Sequence, residues 1–381
     1  MKIAIMTQPL GKNYGGIMQA YALQKILKDM GHSPITIDYQ SKERGFIYKK
    51  VRLAYRLAKK ATGKRQAPIN LESKIGYLTK HNQEFINANI VQSKYINESK
   101  KLKKHFKKNS YDAVIVGSDQ TWRPKYSPNI YDFYLDFIYK NKNIKRIAYA
   151  SSFGVDSWEY SEEETKKCAK LAKSFNAISV REQSGIDLCK NYLGMSSKLT
   201  VDPTLLLDKE DYLALIGNRY KNGKSKGVFT YFLDESEVKT KAAKCVAEHL
   251  DTHVYSCQAK YSLNSLSSSN LEDYKMPSVQ EWLSGIANAE FVVTDSFHGM
   301  LFSIIFHKPF VAIGNKDRGL SRFKSLTDLF DLNSRLINDE SDIHIVNIVD
   351  KSINWNELSY ELEIYKKKSK DFLKSNLQDL I

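Results

Sequence analysis

Residues Phe291–Gly299, FVVTDSFHG, set a histidine and a glycine between a strand-like run, Phe291–Thr294, and the apolar, helix-like run Met300–Phe306. In α/β proteins that junction lies in the crevice beyond the carboxyl end of a parallel strand, where ligands bind. A helix start adds free backbone N–H groups and a partial positive charge, which favour an anion. His298 is therefore placed to give or share a proton beside an anionic group. The bland alternative is a satisfied ring in a tight turn. Asp295 and Ser296 suit helix caps; Ser296 and Gly299 also count among the binding candidates.

Other polar groups collect directly after strand-like runs. YDAVIVG (111–117) is followed by Ser118, Asp119 and Gln120, and KRIAYASS (145–152) ends in Ser151 and Ser152. AISVRE (177–182) ends in Arg181 and Glu182, and KLTVDPTLLL (198–207) carries Asp202 and Pro203. In a parallel sheet such ends share one rim. Arg181 is the candidate clamp for a carboxylate or phosphate, against a surface ion pair with Glu182. Asp119 and Gln120 suit sugar hydroxyls or the cap of a helix. Trp122 suits a sugar face or a buried loop anchor. Asp202–Pro203 reads as structural, the proline fixing the chain as it leaves the first domain. In the opening loop TQPLGKNYGG, Asn13, Gly15 and Gly16 either let backbone approach a ligand or make a plain turn. The loop lacks the GxGxxG order of a dinucleotide fingerprint. Lys316, Arg318 and Arg322 follow PFVAI on the rim that holds His298, as anion ligands or as a solvated basic turn.

The elements that must hold these groups alternate strand with helix. KIAIM (2–6), a helical run to Gly31 and ITIDY (35–39) make a βαβ unit with an expected right-handed return. The pattern restarts after Asp208 with GVFTYFL, THVYS (252–256), FVVTD (291–295) and KPFVAI (308–313). The fold class expected is α/β, with two Rossmann-like, doubly wound domains facing across a cleft. Residues 1–207 form the first, with a basic insertion at 41–110. Residues 208–355 form the second, and a helix within 356–381 packs back on the first.

The 58 basic residues outnumber the 43 acidic ones, a net charge of +15 that suggests an anionic partner. Nucleic acid is disfavoured: no recognised motif appears, and the lysines concentrate in 41–110 and the last helix. GFIYKKVRLAYRLAKKATGKRQ (45–66) sets apolar residues among Lys and Arg at near-helical spacing, which suits an anionic membrane face or an ordinary surface helix. The N-terminus is too short an apolar run for a signal peptide, and nothing reaches the ~18 apolar residues of a membrane span. A cytoplasmic location follows, free or at the inner face of the cell membrane. Cys168, Cys189, Cys245 and Cys257 lack CxxC spacing and read as reduced, mostly buried residues. His249 and His253 stand four apart across a break in the apolar pattern, and no metal site is expected there.

NYGG (13–16), GSDQTW (117–122), VRE (180–182), VDPTLLL (201–207), TDSFHG (294–299) and SRFKSLTDLF (321–330) resemble the polysaccharide pyruvyl transferase family. The resemblance covers most of the chain, with 41–110 the least similar part. It implies a GT-B-like fold and transfer of the enolpyruvyl group of phosphoenolpyruvate to a hexose such as galactose, as a ketal with release of phosphate. It implies no cofactor beyond that donor, and an acceptor glycan on a polyprenyl-diphosphate carrier. On that reading His298 is the acid or the group that steadies the leaving phosphate, and Arg181 the anion clamp. Relatives often carry Arg two residues before the motif histidine. Ser296 stands there in this chain, so the phosphate cation must come from elsewhere, with Lys316, Arg318 and Arg322 in reach. The nearest rival is a nucleotide-sugar glycosyltransferase of the same architecture; a non-catalytic scaffold is the other.

Overall fold

A strand covered on both faces needs apolar side chains on both, and Ala113–Val116, every residue buried, is such a run. The computed structural model describes residues 1–41, 46–62, 69, 71–219, 227–234, 236–261, 268–314, 319–338 and 346–378. Among these residues six strands form one parallel sheet: β1 (Lys2–Met6), β2 (Ser33–Thr36), β3 (Ala113–Val116), β4 (Lys145–Ser151), β5 (Ala177–Val180) and β6 (Lys198–Leu199), in the order β2-β1-β3-β4-β5-β6. Five more form a second: β7 (Val228–Tyr231), β8 (Val254–Ser256), β9 (Phe291–Thr294), β10 (Phe310–Ile313) and β11 (Leu336–Ile337), in the order β11-β10-β9-β7-β8. All the pairings are parallel, as the alternation of strand and helix requires. Two doubly wound α/β units are therefore present, as the sequence led us to expect.

Helix α1 (Tyr14–Asp29) begins where the Asn13 side chain accepts from the Gly16 N–H, and Gly31, at φ +83°, turns the chain out of it. The sheets do not have separate cores on their facing sides. Ile3, Ile5 and Ile115 of the first sheet join Tyr14, Trp282, Phe302 and Phe372 in one apolar cluster. Tyr14 stacks on Trp282 with centroids 5.3 Å apart. The cleft walls thus stand on a shared, dry foundation. The last helix, Trp355–Leu377, returns to the first sheet, with Phe372 6.2 Å from Tyr149 and Ser369 Oγ accepting from the Val201 N–H.

Within the basic insertion, α2 (Phe46–Ala61) is a helix. The later helix Lys80–Asn89 and the turn before it bridge the two units. Asn82 Nδ2 donates to the Gly11 carbonyl, the Met276 N–H donates to the Leu78 carbonyl, and Leu78 packs on Tyr274. No helix among the described residues is long and apolar enough to cross a membrane.

Two expectations need correction. KLTVDPTLLL is not one strand: only Lys198–Leu199 pairs, and Pro203–Leu206 coils into a 3₁₀ turn capped by Asp202. Proline has no N–H for the ladder and suits the first position of a turn. Of the cysteines, Cys168 and Cys189 are buried, Cys257 is half-buried and Cys245 is exposed.

Candidate active site

Each sheet reverses its strand order at its first strand: β2 and β3 flank β1, and β8 and β9 flank β7. Loops leaving such a pair diverge and open a crevice beyond the strand ends. The crevices of the two sheets meet in one cavity of about 290 Å³. Gln8, Pro9 and Asn13 enter it after β1, and Asp119, Gln120 and Tyr126 after β3. Leu233 enters after β7, Asp295, Ser296, Phe297 and His298 after β9, and Arg322 and Phe323 after β10.

His298 stands in the first turn of helix Phe297–Ile305. Ser296 caps that helix, its Oγ accepting from the Gly299 N–H at 3.3 Å. The ring is 5% exposed and presses on α1 so closely that a Cβ on Gly15 would lie 2.1 Å from Nδ1. Nε2 lies 3.6 Å from Asp202 Oδ2, an ion-pair distance longer than a hydrogen bond. That nitrogen has no hydrogen-bond partner among the described residues.

Behind the histidine is a buried charge cluster. Arg181 Nη1 donates to Asp202 Oδ2 at 2.6 Å and Nη2 donates to Asp119 Oδ1 at 3.2 Å. Ser118 Oγ adds a bond to Asp202 Oδ2 at 3.2 Å, and Asp202 Oδ1 accepts from the Thr204 N–H and hydroxyl. Burial pushes the Asp202 carboxyl up, but His298 and Arg181 outweigh it and hold that carboxyl well below the usual range. Burial likewise works against ionised Asp119, and Arg181, His298 and Arg322 together hold its carboxyl low. Asp119 takes a left-handed backbone, φ +72°, which an aspartate tolerates better than most residues.

Arg181 therefore does not line the cavity. Its guanidinium is the counter-ion of Asp119 and Asp202, and an unpaired charge at that depth would cost several kcal/mol. We assign it to positioning rather than to an anion clamp. Arg322 takes the wall instead. The Phe297 ring is shared by the two guanidiniums, its centroid 5.1 Å from Arg181 Cζ and 5.3 Å from Arg322 Cζ. Burial, then the like charge of Arg181, pushes the Arg322 pKa down to about 10, so it stays a cation at neutral pH. Gly319, at φ +104°, brings this helix in: a Cβ there would lie 1.7 Å from the Gly154 carbonyl oxygen across the cleft.

Of the residues expected at the site, His298, Asn13, Asp119, Gln120, Ser296 and Arg322 meet at the cavity. Gly15 and Gly299 lie against His298 and Thr294 where a Cβ would collide, whereas a Cβ on Gly16 would meet nothing nearer than 3.7 Å. Ser118 and Ser152 are buried and do not line the cavity; Ser152 Oγ accepts from the Gly154 N–H at 3.0 Å. Lys316 and Arg318 lie outside the described residues. Trp122 is a loop anchor, its Nε1 donating to the Phe133 carbonyl and its ring stacked on Tyr134 at 5.0 Å. Asp295 caps no helix among the described residues, the helix after it being capped by Ser296. It accepts from the Leu233 and Asp234 N–H groups and from Lys239 Nζ, and so ties the loop after β7 to that after β9. Asp202 was missed as a site residue, because an Asp–Pro pair at a strand end reads as a turn signal alone. Among the described residues no group of three or more His, Cys, Asp or Glu side chains suits a metal ion.

A family profile for polysaccharide pyruvyl transferase matches residues 13–317, most of the chain. Among curated proteins, none matches. Among solved structures the chain is similar to a Staphylococcus aureus MnaA–UDP co-structure, at 12% identity and TM-score 0.54, covering 98% of this chain and 97% of that one. It is also similar to a putative UDP-N-acetylglucosamine 2-epimerase from Listeria monocytogenes, at 10% identity and TM-score 0.51, covering 96% and 91%. A glycosyltransferase from Rickettsia africae matches at 10% identity and TM-score 0.50, covering 99% of each chain. At such identities the likeness is one of fold, and that fold is GT-B-like.

Proposed function

The chain belongs to the polysaccharide pyruvyl transferase family, and on that premise we propose that it moves the enolpyruvyl group of phosphoenolpyruvate onto a hexose of a polysaccharide precursor. The observation that supports this reading is that His298, at a helix start, and the buried Arg322 of another helix line one cavity of about 290 Å³. Sites for drug-sized ligands run from about 300 to 1,000 Å³. A three-carbon phosphorylated acid suits this smaller space; a nucleotide-sugar would extend well beyond it. Arg322 supplies the cation missing at Ser296, and a guanidinium matches phosphate or carboxylate in two-point contact.

His298 gives a proton to the methylene carbon of phosphoenolpyruvate, which makes C2 electrophilic. One hexose hydroxyl adds there and returns its proton to the ring. A second hydroxyl then forms the other C2–O bond as the bond from C2 to the phosphate oxygen breaks. Its proton leaves with the phosphate, so atoms balance with no redox partner. Asp202, held by Arg181, faces His298 and steadies its positive charge; Asn13, Asp119 and Gln120 are the wall groups for acceptor hydroxyls. The acceptor is a hexose such as galactose on a polyprenyl-diphosphate carrier, met at the cytoplasmic face of the membrane.

The test is calorimetric binding of phosphoenolpyruvate, beside UDP-sugars, to the wild type and His298→Ala, with phosphate release measured on galactoside diols. Phosphoenolpyruvate binding and phosphate release that falls about 10²–10⁴-fold in the variant support the assignment. Binding of a UDP-sugar and none of phosphoenolpyruvate would overturn it.

A further inference from the structure

Among the described residues, α2 (Phe46–Ala61), which follows the edge strand β2 from its carboxyl end, carries a run of exposed large apolar side chains. Val51 is 65% exposed, Tyr55 58%, Leu57 49% and Leu53 47%. At 100° per residue these four and Ala54 spread over an arc of roughly 200°, with Lys50 inside it at the N-terminal end. Arg52, Arg56 and Lys60 recur every fourth residue along the other face, with Lys59 beside them. A surface helix that packs on its own protein hides its apolar side; here the large apolar side chains stand in solvent on a strongly basic element.

We propose that α2 is a surface anchor for an anionic lipid leaflet. Charge complementarity selects that occupant: the face is rimmed by cations, and anionic headgroups attract each at about 1 kcal/mol near the surface. A sixteen-residue helix is about 24 Å long, short of the ~30 Å hydrocarbon core, so it lies in the interface plane with Tyr55 and the aliphatic side chains turned to the acyl boundary. Its position connects it to the chemistry. The next helical segment reaches the cavity loop through Asn82 Nδ2 to the Gly11 carbonyl, and reaches the second unit through Leu78 and Tyr274. On this proposal a docked α2 holds the chain that leads to the cleft at the lipid surface. The inference deepens the lipid-linked acceptor reading and rests on it for its purpose, but not for the binding itself.

The experiment is co-sedimentation of the full chain with vesicles of phosphatidylglycerol mixed into phosphatidylcholine, and with phosphatidylcholine alone. The wild type should pellet with the anionic vesicles only, and less at raised salt. Lys59→Glu with Lys60→Glu should lower partition at least about 30-fold, and Val51→Ser with Tyr55→Ser and Leu57→Ser should abolish it. Phosphate release on a soluble galactoside should stay at the wild-type level in both variants, because α2 lies outside the cavity. Wild type left in the supernatant, or variants that pellet as the wild type does, would overturn the anchor. So would a dimer that the serine changes convert to a monomer, since a second copy would then cover the face. Absent turnover with intact vesicle binding would count against the functional reading and leave the anchor standing.

Discussion

Gly15 and His298 are in contact across the two halves of the molecule: a Cβ at Gly15 would lie 2.1 Å from His298 Nδ1 and 2.2 Å from its Cγ. The glycine sits in the first turn of α1, where alanine would be the better helix former. Its absent side chain is what admits the imidazole.

Gly15→Ala should therefore leave α1 folded and push the ring out of place. We expect turnover to fall about 100-fold, the scale of a displacement near 1 Å, with circular dichroism unchanged. A loss of less than twofold would mean that the ring position is not set by this contact.

Asp202→Asn removes the negative charge facing His298 while keeping the cap on Thr204. Since Asp202 touches the histidine and not the cavity, kcat should drop about 10- to 100-fold and the KM for phosphoenolpyruvate should hold steady. A rise in KM with kcat unchanged would contradict the positioning role.

Arg322→Met should act in the opposite sense. Charge-assisted hydrogen bonds contribute about 1.5–3 kcal/mol, so phosphoenolpyruvate affinity measured by calorimetry should weaken about 10- to 150-fold. Arg322→Lys should recover part of it, because a point charge cannot reproduce two-point contact. Equal binding by the wild type and the methionine variant would remove Arg322 from the donor site.

Arg181→Met leaves Asp119 and Asp202 buried without their shared counter-ion. Breaking such a pair costs roughly 3–5 kcal/mol, readable in urea unfolding at neutral pH. The pH dependence has a definite sign. Both carboxyls titrate below their unfolded values, so the unfolded chain binds more protons in acid. The stability they add is present above about pH 4 and is lost as pH falls through their folded values. The variant, lacking the cation, should show a shallower acid slope; an unchanged slope would show that Arg181 does not hold these carboxyls down.

Much of this architecture is local and could be read along the chain. Phe291–Val293 is apolar and Phe291–Thr294 is buried throughout because both faces of β9 are covered, and its strand bounds match the sequence pattern. His298 was legible because a strand, a capping serine and an apolar helix follow one another within a few residues, and geometry then puts the ring at the crevice. Arg322 was legible only as one of three basic residues after PFVAI, since nothing local separates a buried guanidinium from a solvated one.

The side of the site that escaped reading is made of long-range neighbours. Arg181 has the residue type and strand-end position of an anion clamp, yet Asp119 and Asp202 converge on it from the ends of other segments. Asp202 looked like a turn residue, and it is one through Oδ1, while Oδ2 faces Arg181 and His298. By itself the sequence determined the strands, the loops that follow them and the histidine at the helix start, because periodicity, caps and glycines act over a few residues. Only the tertiary structure decided which charges neutralise each other and which face the cleft. Pairing energy depends on distance and burial, and both are set by how two sheets far apart in the chain pack on one core.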